Sequence, residues 1–176
     1  MTVDSVLVIC YSCTGIARRA AQRLASLQGW QLGEIRDVRP KSPTACILDS
    51  LLRRRPAFEY EGPPPGNFRV VVIVAPIWAG HLAGPLRSYL FKHADELDNV
   101  ALAMIRHSGR ATKAFWEVAR LLGHAPIACA GFLPREVDDS SGTERLRAFG
   151  EGLRPATDVV RAALNSAWSA PYQIGA

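Results

Sequence analysis

Between Cys10 and Arg19 the chain reads Cys-Tyr-Ser-Cys-Thr-Gly-Ile-Ala-Arg-Arg, placing two thiols, two small hydroxyls, a glycine and two cations in one short stretch. Two chemistries fit such a set. Ser12 and Thr14, together with the backbone N–H groups where a helix begins, can hold a phosphate through charge-assisted hydrogen bonds, and the helix dipole adds to the attraction. Gly15 lets the backbone approach such a ligand closely. The same hydroxyls could instead cap the helix, and the loop alone leaves both readings open.

The second chemistry is nucleophilic. Cys13 and Arg19 have the C-x5-R spacing by which a phosphate loop presents a thiolate and an arginine to a phosphoester, as in cysteine-dependent phosphatases and arsenate reductases. In those enzymes the cysteine directly follows the strand. Here that position is Cys10, which has Ile16, not an arginine, six residues on, and no Asp-Pro general acid occurs in the chain. Cys10 and Cys13 also form a C-x-x-C pair, but no second pair or histidine pair completes a zinc set, so no metal is expected. With Cys46 and Cys129 they are expected to be reduced thiols.

These residues need elements to position them. Ser5 to Cys10 is a short apolar, β-branched run that reads as a strand buried on both faces. Ile16, Ala20, Leu24 and Leu27 then recur at helical spacing up to Gly29, and residues 31–36 read as an outer second strand. Residues 37–67, rich in proline, read as a connection with one short helix over 44–54 beginning near Ser42. Phe68 to Ala75 is the strongest strand, halted by Pro76. A helix over 82–92 follows with Pro85 in its first turn, then a strand over 100–105, a helix over 112–122, a strand over 127–133 and a last helix over 143–165. Five strands alternating with helices predict right-handed βαβ crossovers and a doubly wound parallel sheet. Ligands of such sheets bind beyond the carboxyl ends of the strands, which singles out the loops 11–15, 76–81 and 106–110.

The chain has 176 residues, 48% hydrophobic and 21% charged, with a formal net charge of +5. A domain of that size buries roughly 70% of its unfolded surface, enough for a core without metals or disulfides. One domain over residues 1–166 and a C-terminal tail over 167–176 are expected. The longest apolar run is far shorter than the roughly 20 residues of a membrane span, and the N-terminus lacks the features of a secretory signal, so a cytoplasmic protein is expected. The basic triplet Arg53-Arg54-Arg55 reads as a solvated helix end and not a nucleic-acid contact, because no aromatic residues interleave.

At this point the sequence resembles a known family. Leu7-Val8-Ile9-Cys10-Tyr11-Ser12-Cys13-Thr14-Gly15 is similar to the opening of flavodoxins and flavodoxin-like reductases, where an apolar strand leads into a T/S-x-T-G-x-T loop around the phosphate of FMN. Residues 71–80, ending Pro76-Ile77-Trp78-Ala79-Gly80, resemble the family's strand and P-[IV]-[WY]-x-G loop, which lies along the isoalloxazine ring. Ala101 to Gly109 resembles a third strand and its small-residue loop. The resemblance spans about residues 6–165 and implies a five-stranded parallel sheet in the order 2-1-3-4-5. It implies FMN as cofactor, its phosphate held by Ser12, Cys13, Thr14, Gly15, Ile16 and Ala17 and its ring framed by Pro76, Ile77, Trp78, Ala79, Gly80, His107, Ser108 and Gly109. Ile16 and Ala17 depart from the pattern, Ala17 standing where the closing threonine is usual. One lost charge-assisted hydrogen bond costs about 1.5 to 3 kcal/mol.

His81, Arg106, His107 and Arg110 fall on or beside the ring loops, and positive charge there raises a flavin's potential and favours two-electron reduction. The expected function is therefore electron transfer, as a reductase passing electrons from a reduced donor such as NAD(P)H to a quinone-like or other small acceptor, or to a protein acceptor. The flavin carries the chemistry, no catalytic side chain is required, and a homodimer is expected of such a reductase. The alternative of another class is a flavodoxin-like interaction module without cofactor.

Overall fold

The computed structural model describes residues 6–107 and 111–153, which form one mixed sheet between two helical layers. In chain order the elements are β1 (Val6–Tyr11), α1 (Ile16–Gln28), β2 (Gln31–Asp37), α2 (Pro43–Leu51), β3 (Phe58–Glu61), β4 (Val70–Trp78), β5 (His81–Leu82), α3 (Gly84–His93), β6 (Val100–Arg106), α4 (Thr112–Leu122), β7 (Ala128–Phe132), α5 (Pro134–Val137) and α6 (Ser140–Leu153). Across the sheet the order is β3-β2-β1-β4-β6-β7, with β5 paired to β4. The parallel strands β2-β1-β4-β6-β7 therefore run in the predicted 2-1-3-4-5 order.

The apolar runs lack alternation because both faces of the central strands are covered. On one face Leu7, Ile9 and Tyr11 of β1 and Val71, Ile73 and Ala75 of β4 pack with Leu86, Tyr89 and Leu90 of α3 and Val118 of α4. On the other, Val6, Val8, Cys10, Val70, Val72 and Val74 meet Ala17, Ala20, Ala21 and Leu24 of α1 and Leu146 of α6. Burying a side chain such as Leu24 or Ile73 contributes roughly 1.5 to 3 kcal/mol. Alanines along α1 let its axis come close to the sheet. That brings the mouth of α1 to the carboxyl end of β1.

Three expectations require correction. Among the described residues the sheet has seven strands and is not purely parallel, because β3 and β5 are antiparallel. Phe58 and Tyr60 alternate with Glu59 and Glu61, and the two aromatics pack on the core while the carboxylates face out, so the proline-rich connection holds an edge strand. β4 does not stop at Pro76 but continues to Trp78, pairing Pro76 with Ile105 and Ile77 with Arg106 of β6. On its other side the ladder with β1 has already ended at Cys10 and Val74, and proline is tolerated at the end of a ladder, where no hydrogen bond is lost. Finally, Leu82 belongs to β5, and α3 begins two residues later at Gly84. The rest of the predicted last helix beyond Leu153, the boundary at residue 166 and the tail lie outside the described residues. No helix among the described residues is long and apolar enough to cross a membrane.

Candidate functional site

The loop between β1 and α1 ends at Gly15, which is the N-cap of α1 with φ 87° and no side-chain capping bond. Neither Ser12 nor Thr14 caps the helix, so the alternative left open by the sequence is not the one realised. The first helical bond runs from the Arg19 N–H to the Gly15 carbonyl at 3.1 Å, which leaves the N–H groups of Ile16, Ala17 and Arg18 without intrahelical partners. No acidic residue stands in that first turn. Ser12 Oγ is buried and has no hydrogen-bond partner among the described residues. A buried hydroxyl without a partner costs about 1 to 3 kcal/mol, so Ser12 Oγ is open to a hydrogen bond with an atom from outside the chain. The orphaned hydroxyl and open amides fit a phosphate, and Thr14 is exposed beside them.

The two arginines of this stretch are directed elsewhere. Arg19 grips Asp138 with Nε and Nη2 at 3.2 and 2.9 Å, and Arg18 pairs with Glu34 of β2. Cys13 turns to the opposite side of the sheet, where its Sγ lies 2.7 Å from Cys46 Sγ in the first turns of α2. Burial and then the hydrogen bond with Cys46 push the Cys13 thiol up to about 12. A cysteine that attacks phosphoesters at neutral pH needs the reverse shift, and its arginine must face the same ligand. The C-x5-R arrangement is therefore not assembled. The C-x-x-C pair is not assembled either, since Cys10 is buried against α1 while Cys13 packs on the α2–α4 side.

Under the loop lies a polar cluster that sequence spacing did not reveal. Tyr11 Oη donates to Asp37 Oδ2 at 2.8 Å and sits 3.7 Å from Cys46 Sγ. Lys41 Nζ bridges Asp37 Oδ1 at 3.2 Å and Asp49 Oδ2 at 2.6 Å. Burial and the Asp37 hydrogen bond hold the Tyr11 hydroxyl well above its ordinary range, so it remains a donor. These contacts tie the ends of β1 and β2 to α2 beneath the loop.

The second predicted loop is a hairpin. Trp78 pairs with His81 and Ile77 with Leu82, and the two linking residues, Ala79 and Gly80, have φ 49° and 82°. Two positive φ values in a two-residue connection match the twist of the strands it joins, and glycine is favoured at such a position. Pro76 and Ile77 are buried in β4, and Trp78 is 9% exposed, its indole packed into the core on the α2–α4 side. The edge left to a ligand is therefore mostly backbone, with Ala79 and Gly80 at the tip.

A buried cation holds this hairpin in place. Arg87 of α3, 3% exposed, donates from Nε to Glu117 of α4 at 2.5 Å, from Nη1 to the Arg54 carbonyl at 3.0 Å and from Nη2 to the Leu82 carbonyl at 3.0 Å. Glu117 in turn accepts from the Leu82 N–H at 3.4 Å. Nη2 also donates to the Ser50 carbonyl of α2 at 3.4 Å, so β5, α2, α3 and α4 meet at one ion pair. The sequence offered no signal for it, because the partners are some thirty residues apart.

Beside the hairpin, Arg53, Arg55, His81, Lys113 and Arg120, with Phe91 and Trp116, line a cleft of about 540 Å³. Glu117, the acid in that lining, is held by Arg87. Of the third loop, His107 is exposed just past β6, while Ser108, Gly109 and Arg110 lie outside the described residues.

No protein-family profile matches the chain, and no curated protein sequence is significantly similar to it. Solved structures are similar in fold. A flavoprotein from Lactobacillus acidophilus NCFM crystallised with FMN superposes with a TM-score of 0.64 at 17% identity, over 73% of this chain and 93% of that one. A candidate flavoprotein from Bacteroides eggerthii DSM 20697 superposes with a TM-score of 0.66 at 20% identity, over 89% of this chain and 98% of that one. The flavodoxin of Streptococcus pneumonia TIGR4 gives 0.52 at 12%, over 84% and 96%. Sheet order, the loop at the mouth of α1 and these superpositions agree: the chain has the flavodoxin-like fold.

Proposed function

We propose that this protein binds FMN non-covalently and transfers electrons through it between a reduced donor and an acceptor. The observation that carries the reading is the orphaned Ser12 hydroxyl beside the uncapped amides of α1, at the place where the superposed fold ends its first parallel strand. Ser12 Oγ, Thr14 Oγ1 and the N–H groups of Gly15, Ile16 and Ala17 would hold the phosphate. The hairpin tip, Ala79 and Gly80, would stand along the ring with Trp78 closing the core behind it. His107, Ser108 and Gly109 remain the expected third side. When bound, the flavin supplies the redox chemistry; the chain binds, orients and sets the surrounding charge.

The cationic cleft beside the hairpin supports an anionic redox partner. Guanidinium and ammonium groups with two aromatic walls suit a phosphate-bearing donor such as NAD(P)H, or a small acidic or quinone-like acceptor. Attraction of that kind weakens as salt rises. A cytoplasmic, homodimeric reductase remains the fuller form of this reading.

The test is fluorescence titration of apoprotein with FMN, with riboflavin as the phosphate-free control, after the visible spectrum of the purified protein. Saturable FMN binding much tighter than that of riboflavin is expected, weakened by Ser12→Ala and Thr14→Ala. Equal binding of both would remove the phosphate cradle. Binding of neither would overturn the flavin reading and leave the cofactor-free module.

A further inference from the structure

Cys13 and Cys46 are thirty-three positions apart in sequence, yet their sulfurs are 2.7 Å apart. A disulfide has a sulfur–sulfur distance of about 2.05 Å, so the sulfurs themselves need to close by roughly 0.65 Å. Both are free thiols, and Cys46 is buried while Cys13 is half-buried in the loop. The other two cysteines have no thiol beside them among the described residues. Cys10 is fully buried against α1 on the other face of the sheet, and Cys129 lies in β7, two strands beyond β4.

We propose that Cys13 and Cys46 form a reversible disulfide that ties the phosphate loop to α2, a covalent modification site at the edge of the proposed FMN pocket. The loop assignment rests on the FMN reading; the disulfide itself does not. The oxidant is a low-molecular-weight disulfide of the glutathione class. The half-buried Cys13 sulfur, the more exposed of the two, attacks one sulfur of the small disulfide, forming a mixed disulfide and releasing one small thiolate. Cys46 then attacks the Cys13 sulfur, closing the protein bond and releasing the second small thiolate. Two protein thiols are oxidised, one small disulfide is reduced to two thiols, and the two cysteine protons pass to the released thiolates. Burial and the hydrogen bond with Cys46 raise the Cys13 thiol's pKa, which works against the first step at neutral pH, while the closeness of the two sulfurs favours the second.

The bond would join residues on either side of β2. It would hold the loop in the arrangement that leaves Ser12 and the amides of α1 open, which is preorganisation for an anion. Oxidation therefore stiffens the loop without closing it.

The test incubates the full-length protein with oxidised glutathione, then maps non-reduced peptides by mass spectrometry and records the melting temperature before and after dithiothreitol. A Cys13–Cys46 peptide, lost on reduction, with a rise in melting temperature of roughly 5 °C is expected. Cys46→Ser should instead stop at a mixed disulfide on Cys13, and Cys46→Ala serves if serine unsettles the core. Four unmodified thiols, a Cys10–Cys13 bond, or a mixed disulfide that persists in the wild type would overturn the proposal. In the FMN-loaded protein, oxidation should slow flavin release at least about threefold; an unchanged rate would refute the coupling to the loop. Failure to load FMN at all would sink the cofactor reading and leave the peptide map to judge the disulfide.

Discussion

The loop at the mouth of α1 and the hairpin after β4 both stand at the carboxyl end of the sheet, but they satisfy their polar groups in opposite ways. The hairpin is complete in itself: strand pairing takes its backbone, and Arg87 and Glu117 take the groups left over at Leu82. The loop is incomplete, with a buried hydroxyl that has no partner among the described residues and three helix amides that have no intrahelical one. A scaffold that must keep its shape with or without a ligand is satisfied internally. On the proposed reading, a surface that binds an anion keeps its donors open, and neighbouring loops then divide stability from binding.

The largest disturbance of this contrast is Arg87→Ala. It leaves Glu117 without its cation and three carbonyls, those of Ser50, Arg54 and Leu82, without their donor, and the expected loss is about 3 to 5 kcal/mol, read as a lowered midpoint in urea unfolding. Arg87→Lys should recover little, because an ammonium cannot reach carbonyls on two sides and a carboxylate together. Ser12→Ala should do the converse. FMN affinity falls by roughly tenfold to a hundredfold, while stability stays level or rises, since an unpaired hydroxyl is removed. A drop in stability with unchanged affinity, measured by denaturation alongside the titration, would show that Ser12 serves the fold.

A smaller effect is expected at the hairpin tip. Gly80→Val places a branched side chain at φ 82° and against Lys113 Cδ, 3.5 Å from where its Cβ would lie, and should cost on the order of 1 to 2 kcal/mol in thermal unfolding. The phosphate-dependent preference for FMN over riboflavin should survive it.

The smallest effect concerns Glu34, which pairs with Arg18 beside the loop and with Arg36 along β2. Burial alone would push its carboxyl up, but the hydrogen bonds from Arg36 and Arg18 outweigh that and hold it below the ordinary glutamate value. A depressed carboxylate stabilises the fold above its unfolded pKa, and the stabilisation disappears as pH falls through the folded value. The difference between wild type and Glu34→Gln should be present at neutral pH and vanish in the acid range below about 4.5. Because Arg18 and Arg36 are substantially solvated, the difference should stay below about 1 kcal/mol.

Much of the fold was legible in residue order. The continuous apolar runs of β1, β4 and β6 required burial on both faces, and the helical spacing after Gly15 required a crossover, which together lead to a parallel sheet. The helix expected over 112–122 has those bounds, and Gly123 ends it with φ 77°. β3 was readable in principle from Phe58 and Tyr60 alternating with Glu59 and Glu61, but the surrounding prolines masked a four-residue signal. β5 was not readable, because two residues carry no periodicity and pair only through the turn at Ala79 and Gly80.

The candidate site divides along the same line. Local chain chemistry determined that a hydroxyl-bearing, glycine-ended loop would stand between a buried strand and a helix, since β1, the loop and α1 are contiguous and their preferences are set within a few residues. Tertiary structure decided what that loop would do. It turned Arg18 and Arg19 onto Glu34 and Asp138, brought Cys46 from a distant helix to Cys13 and left Ser12 buried without a partner. Those outcomes depend on which helix packs on which face of the sheet, a balance of burial and long-range contacts that no local spacing encodes.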